Sequence, residues 1–145
     1  MRVAALCALA AAAACLAAPA GACTVSTTSV AFGTYNPNST TALDGTGAVN
    51  LNCPSNVKQG PVISISTGNS GSYAERRMNS GANVLRYNLY TSAARTTVWG
   101  NGTSGTARVT APIRQSSTPV HGRISAGQNV RAGTYTDTLT VTVTF

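Results

Sequence analysis

Negative charge is nearly absent from this 145-residue chain, which has three acids (Asp44, Glu75 and Asp137) and one histidine, His121. Charged residues make up 9% of the total, against about 25% in an ordinary globular domain. A two-carboxylate hydrolase, a multi-histidine metal centre and a Ser-His-Asp triad therefore have almost no residues to be built from. Lysine is as scarce, with Lys58 alone against nine arginines, and the arginines are scattered along the chain. The net charge of +7 therefore forms no nucleic-acid-binding stripe. Glycine-rich stretches occur, but none follows the GxxxxGK[ST] pattern or leads into a helix, so a phosphate cradle is not indicated. No window carries a 3.6-residue apolar period free of glycine or proline.

Threonine and glycine are abundant, with 21 and 14 residues. Threonine is β-branched and favours strands; glycine supplies turns. The composition predicts one all-β domain.

Residues 1–22 have the plan of a secretory signal. Arg2 gives a basic start, Val3 to Ala18 is uncharged and apolar, and Ala20-Gly21-Ala22 is a small-residue cleavage site. The competing reading, a membrane anchor, wants an apolar run of about 20 residues. Cleavage after Ala22 leaves a domain of residues 23–145 with nine basic residues against three acids and no expected membrane span. It keeps two cysteines, Cys23 and Cys53. In an oxidising compartment such a pair reads as one disulfide, and closing 30 residues would stabilise the fold by about 3–4 kcal/mol. A lipidated Cys23 is the alternative, although Ala20 stands where a lipoprotein signal normally has a leucine-like residue.

Period-two alternation predicts strands at 48–53, 61–66, 83–90 and 120–124, with a weaker one at 96–99. In the third, Leu85, Tyr87 and Leu89 form the apolar face, opposite Val84, Arg86, Asn88 and Tyr90. The strongest signal is Thr134 to Phe145, read as one twelve-residue strand. Tyr135, Asp137, Leu139, Val141, Val143 and Phe145 share one face, and threonine fills the other. Loops are expected at 36–39, 44–47, 68–71 and 100–102. Glu75-Arg76-Arg77 reads as a solvated turn with a local ion pair, Trp99 as a core residue beside a turn, and His121 as structural. Asp137 is expected near the start of its strand, satisfied by an arginine or a backbone N–H. No catalytic, metal or cofactor constellation emerges. What stands out is a long terminal strand with one apolar face, a hazard unless its edge is paired. Strand addition from a partner is one known solution.

In order, Cys23-Thr24-Val25, Val30 to Pro37 (VAFGTYNP), Cys53, Gly68, Arg77-Met78, Leu85 to Tyr90 (LRYNLY), Trp99-Gly100, Val120 to Ile124 (VHGRI) and Ala132 to Val143 (AGTYTDTLTVTV) cover essentially all of 23–145. This series resembles the spore coat protein U domain, a family that includes subunits of archaic (Csu-type) chaperone–usher pili. The resemblance implies an immunoglobulin-like β-sandwich that lacks its final strand. A periplasmic chaperone would fill the gap, then a neighbouring fibre subunit after passage through an outer-membrane usher. Leu139, Val141, Val143 and Phe145 are the candidate groove and chaperone contacts. It implies a non-enzymatic fibre subunit exported through the periplasm to the cell surface, in adhesion or biofilm formation. Such subunits carry a donor segment before the first cysteine, whereas the expected cleavage leaves Cys23 first. A secreted coat or adhesive module that does not polymerise, binding a surface or polysaccharide, is therefore the alternative.

Overall fold

The computed structural model describes residues 23–114 and 116–145; the expected signal segment lies outside them. Eight strands follow in order: β1 (Thr24–Ala31), β2 (Leu43–Asn52), β3 (Val62–Ile65), β4 (Arg76–Ser80), β5 (Asn83–Tyr90), β6 (Val109–Thr110), β7 (Ser116–Ile124) and β8 (Val141–Thr144). They form two sheets, β1-β2-β7-β5-β4 and β6-β3-β8, with every strand pair antiparallel. This is the all-β, immunoglobulin-like sandwich that the composition and the resemblance led us to expect, closed by one disulfide between Cys23 and Cys53. The disulfide ties the start of β1 to the end of β2, where Thr24 already pairs with Asn52.

Alternation explains the core. Val49 and Leu51 of β2, Ile63 and Ile65 of β3, Leu85, Tyr87 and Leu89 of β5, and Val120 and Ile124 of β7 are all buried, with Trp99 between the sheets. The Trp99 Nε1–H donates to the Ile63 carbonyl at 3.1 Å, so the one polar atom of the indole is satisfied inside the core.

Several expectations need correction. Asp44 to Gly47 is not a loop but part of β2. Gly45 pairs with Gly122 of β7, and a Cβ on either would run into the Phe32 ring. These glycines leave a bare patch of sheet on which Phe32 lies, edge-on to Tyr87 at 5.8 Å between centroids. The segment at 96–99 contributes only single bridges, Val98 with Tyr90 and Trp99 with Ala107. Asn88, assigned to the polar face of β5, is buried. The twelve-residue strand is also shorter than expected. Only Val141–Thr144 pairs as a strand, against β3, while Thr136 makes an isolated bridge to Asn79 of β4. The in–out alternation nevertheless persists from Tyr135 to Thr144. The stretch passes from one sheet to the other, and between those contacts it is held by the Ser66 N–H on the Thr140 carbonyl and the Asn69 N–H on Asp137.

The largest departure is Arg76, read as part of a solvated turn. Its neighbours do form the surface ion pair, Arg77 Nε to Glu75 Oε1 at 3.1 Å, but Arg76 itself is 0% exposed. Its guanidinium donates to the Ser66 carbonyl from Nε (2.9 Å) and Nη2 (2.8 Å), to the Trp99 carbonyl (2.7 Å) and to Asn88 Oδ1 (2.7 Å). Asn88 in turn donates to the Tyr73 carbonyl at 2.9 Å, which is why an amide is buried on β5. One side chain of the five-stranded sheet thus holds the end of β3 and the Trp99 turn. Burial lowers the proton affinity of this guanidinium, while the fields of Tyr87, Tyr73 and Asp137 oppose that change. Replacement by methionine leaves the Ser66 and Trp99 carbonyls without donors, each a penalty of about 1–3 kcal/mol, while Asn88 Oδ1 keeps the Leu89 N–H at 2.9 Å. Arg76→Met is therefore expected to lower stability by at least ~2 kcal/mol in urea unfolding, and Arg76→Lys to recover only part of it, because a point ammonium cannot span the same acceptors.

Candidate functional site: an uncovered inner face and an unpaired strand edge

Directly opposed residues of an antiparallel pair point to the same face of the sheet. Val25 is opposite Leu51, and Thr27 opposite Val49. Leu51 and Val49 are 2% and 1% exposed, yet Val25 is 45% exposed and Thr27 is exposed too. Among the described residues, therefore, nothing covers the inner face of β1.

Where cover is missing, a cavity opens. It measures 350 Å³, with β1 residues Thr27 to Val30 on one wall and Tyr135, Thr136, Asp137, Leu139 and Val141 on the other. Core residues Val49, Ile65, Leu89 and Val120 form its floor. A second cavity of 590 Å³ continues it between Val30–Tyr35 and Val130–Tyr135. The two share Val30, Phe32, Met78 and Tyr135, so they form one trough.

The trough is bordered by an open strand edge. β8 lies at the end of its sheet, paired only with β3 among the described residues. The Ser66 N–H donates to the Thr140 carbonyl at 2.9 Å, which fixes the parity of the ladder. The backbone groups of Thr140, Thr142 and Thr144 face β3, and those of Val141 and Val143 face outward. The same two valines send their side chains toward the core, against which both pack half-buried. Of the four anticipated groove residues, Leu139 and Val141 line the cavity, Val143 is half-buried on β8, and Phe145 is 63% exposed.

Asp137 stands in the wall of the trough. Its Oδ2 accepts the Tyr87 hydroxyl at 2.6 Å, and its Oδ1 accepts the Asn69 N–H at 2.9 Å. The backbone donor matches expectation; the partner from β5 is a tyrosine rather than an arginine. Gly68, in the left-handed region at φ 64°, is packed so closely under this carboxylate that a Cβ there would collide with it. The Tyr87–Asp137 contact holds the chain where it leaves one sheet for the other. Phe32, Tyr87 and Met78 are trough residues that the sequence did not single out; the Phe32 motif and the paired glycines were visible, but their convergence required the register. His121 lies on β7, and among the described residues its buried Nδ1 has no hydrogen-bond partner. Among the described residues no group of three His, Cys, Asp or Glu side chains could hold a metal, and no helix is long and apolar enough to cross a membrane.

Burial, followed by the hydrogen bond to Asp137, pushes the Tyr87 phenol far above its usual range. A raised pKa means that the folded state keeps a proton that the unfolded chain releases above about pH 10, so this stabilisation is present below that pH and lost as pH rises. Tyr87→Phe is expected to flatten the alkaline fall in stability by roughly one proton, about 1.4 kcal/mol per pH unit, measured by urea unfolding between pH 9 and pH 12.

The family model for the spore coat protein U domain matches residues 8–142. Protein U of Myxococcus xanthus is 34% identical over 144 residues, an alignment covering 86% of this chain and 78% of that protein. The fold is similar to a chain in the crystal structure of the CsuC–CsuE chaperone–tip adhesion subunit pre-assembly complex, from archaic chaperone–usher Csu pili of Acinetobacter baumannii. The TM-score is 0.62 at 25% identity, over 86% of this chain but only 40% of that one. Sequence, fold and the ordered motifs agree: the chain belongs to the spore coat protein U domain family.

Proposed function

We propose that this protein is a structural subunit of a chaperone–usher surface fibre, completed in trans by a strand from another chain. The observation that carries this reading is the coincidence of an uncovered inner face on β1, a core-floored trough and an outward-facing backbone row at Val141 and Val143. An inserted strand with alternating apolar residues would supply all three needs at once. It would pair with the free edge of β8, extend the three-stranded sheet over β1, and send side chains into the trough. The family membership and the similarity to a chaperone–subunit complex support the same reading.

In this account a periplasmic chaperone provides the strand first, an outer-membrane usher accepts the complex, and a neighbouring subunit then replaces the chaperone. Leu139 and Val141 border the inserted side chains. Val143 and Phe145 extend the contact along β8. The fibre is carried to the cell surface, where it serves adhesion or biofilm formation. The family is structural, and the protein is not an enzyme.

The test is export of the full-length chain with and without its cognate chaperone. The expected result is a one-to-one soluble complex with the chaperone, a much lower yield of soluble chain without it, and loss of the complex in Val143→Asp and Phe145→Asp. A stable soluble monomer obtained alone, with Phe145→Asp tolerated, would contradict the proposal.

A further inference from the structure

The few acids of this chain are all engaged internally. Arg123 donates to both oxygens of Asp44, at 2.7 and 3.0 Å, and Arg95 lies 3.3 Å from the same carboxylate. The hydrogen bond from Arg123 holds the Asp44 carboxyl below its usual range. Glu75 contacts Arg77 at 3.1 Å and Arg86 at 3.3 Å. Asp137 is taken by Tyr87 and the Asn69 N–H. Arg76 is buried. Among the described residues this leaves Lys58, Arg108, Arg114 and Arg131 exposed and without a carboxylate partner.

Three of these four flank one element. Val62 and Ile63 of β3 pair with Thr110 and Val109 of β6, and the Ala111 N–H donates to the Pro61 carbonyl at 2.8 Å. Lys58 lies three residues before Pro61, and Arg114 three residues after Ala111, so the two loops that carry them leave the Pro61–Ala111 pair from the same end of the β3–β6 ladder. Arg108 immediately precedes β6, within about 20 Å of Arg114 along the chain. The result is a basic border along the β6 edge of the smaller sheet. Among the described residues no Asp or Glu lies within ion-pair distance of these cations. The opposite edge of that sheet is β8.

We propose that this β6 border binds an acidic polysaccharide, a linear chain bearing carboxylates such as a polyuronate. The arginine fork matches a carboxylate with two parallel hydrogen bonds. Exposed Ser55, Asn56, Gln59, Asn101 and Thr103 lie in the flanking loops and offer neutral hydrogen-bonding groups suited to sugar hydroxyls. Residues 54–60 and 100–114 contain no Phe, Tyr or Trp, so the stacking platform that single-stranded nucleic acids require is absent. Cations on a sheet edge also deter strand addition, which reserves β8 for a strand partner and leaves β6 for the polymer. Because β6 and β8 flank β3 on opposite sides, both can be occupied at once, and a fibre built through β8 would display a basic border on every subunit.

The experiment measures binding of the full-length exported chain, alone or in complex with its chaperone, to immobilised polygalacturonate, with neutral dextran and duplex DNA as comparison surfaces. The expected result is salt-sensitive binding to polygalacturonate and none to dextran. A Lys58→Gln, Arg108→Gln, Arg114→Gln triple variant should bind at least about tenfold more weakly. A control triple, Arg77→Gln, Arg86→Gln, Arg123→Gln, removes the same charge from the larger sheet and should change affinity by less than about threefold. Equal losses in the two triples would reduce the effect to net charge and overturn the proposal. So would absence of polygalacturonate binding, or tighter binding to duplex DNA. Either form of the chain reads out this border, so the outcome is separable from whether β8 accepts a strand.

Discussion

A five-stranded sheet cannot bury its inner face under three strands, and the rest of this molecule follows from that shortage. β1 pairs along its length with β2 and is fastened by Cys23–Cys53, so it is fixed in the sheet although none of the described residues covers Val25 and Thr27. The uncovered strip leads directly to Val49, Leu89 and Val120, the same side chains that make up the core. The opening is therefore continuous with the hydrophobic interior, and a ligand that enters it becomes part of the fold. Burying apolar surface there is worth about 25 cal/mol per Å², which is the driving force available to a partner strand.

The opening persists because the surrounding elements are held by polar anchors rather than by a closed apolar layer. Arg76 reaches from the edge of the large sheet to the carbonyls of Ser66 and Trp99, and so fixes the end of β3, the strand to which β8 is paired. Asp137, through Tyr87 and Asn69, fixes the segment that leads into β8. Phe32, seated on the Gly45–Gly122 pair, props the far wall. These contacts keep the trough from collapsing and set the direction of the open edge. A buried guanidinium suits this task because it can bond several carbonyls at once and has no low-energy alternative inside the core.

Much of this was legible in the residues. The alternation at 83–90 and 120–124, the Cys23–Cys53 pair and the core position of Trp99 all follow from period, parity and compartment. The ordered motifs pointed to the family and, through it, to the incomplete sandwich. What period alone could not reveal depends on partners distant in sequence. Arg76 sits between two charged neighbours in a pattern that looks like solvent, and only the approach of Ser66, Asn88 and Trp99 makes it a core residue. Gly45 and Gly47 look like a turn until Phe32 and β1 are seen lying against them. The terminal stretch announces its alternation but not its pairing, because alternation records which side faces the core and says nothing about what lies alongside.

The central claim is that Val141 and Val143 present their backbone groups to a vacant strand position. Amide hydrogen exchange on the chain before and after it takes up a donor strand tests this directly. The account predicts that the Thr142 and Thr144 amides, bonded to β3, are protected in both states, while those of Val141 and Val143 exchange fast in the free chain and become protected in the complex. Equal protection of all four amides in the free chain would contradict it.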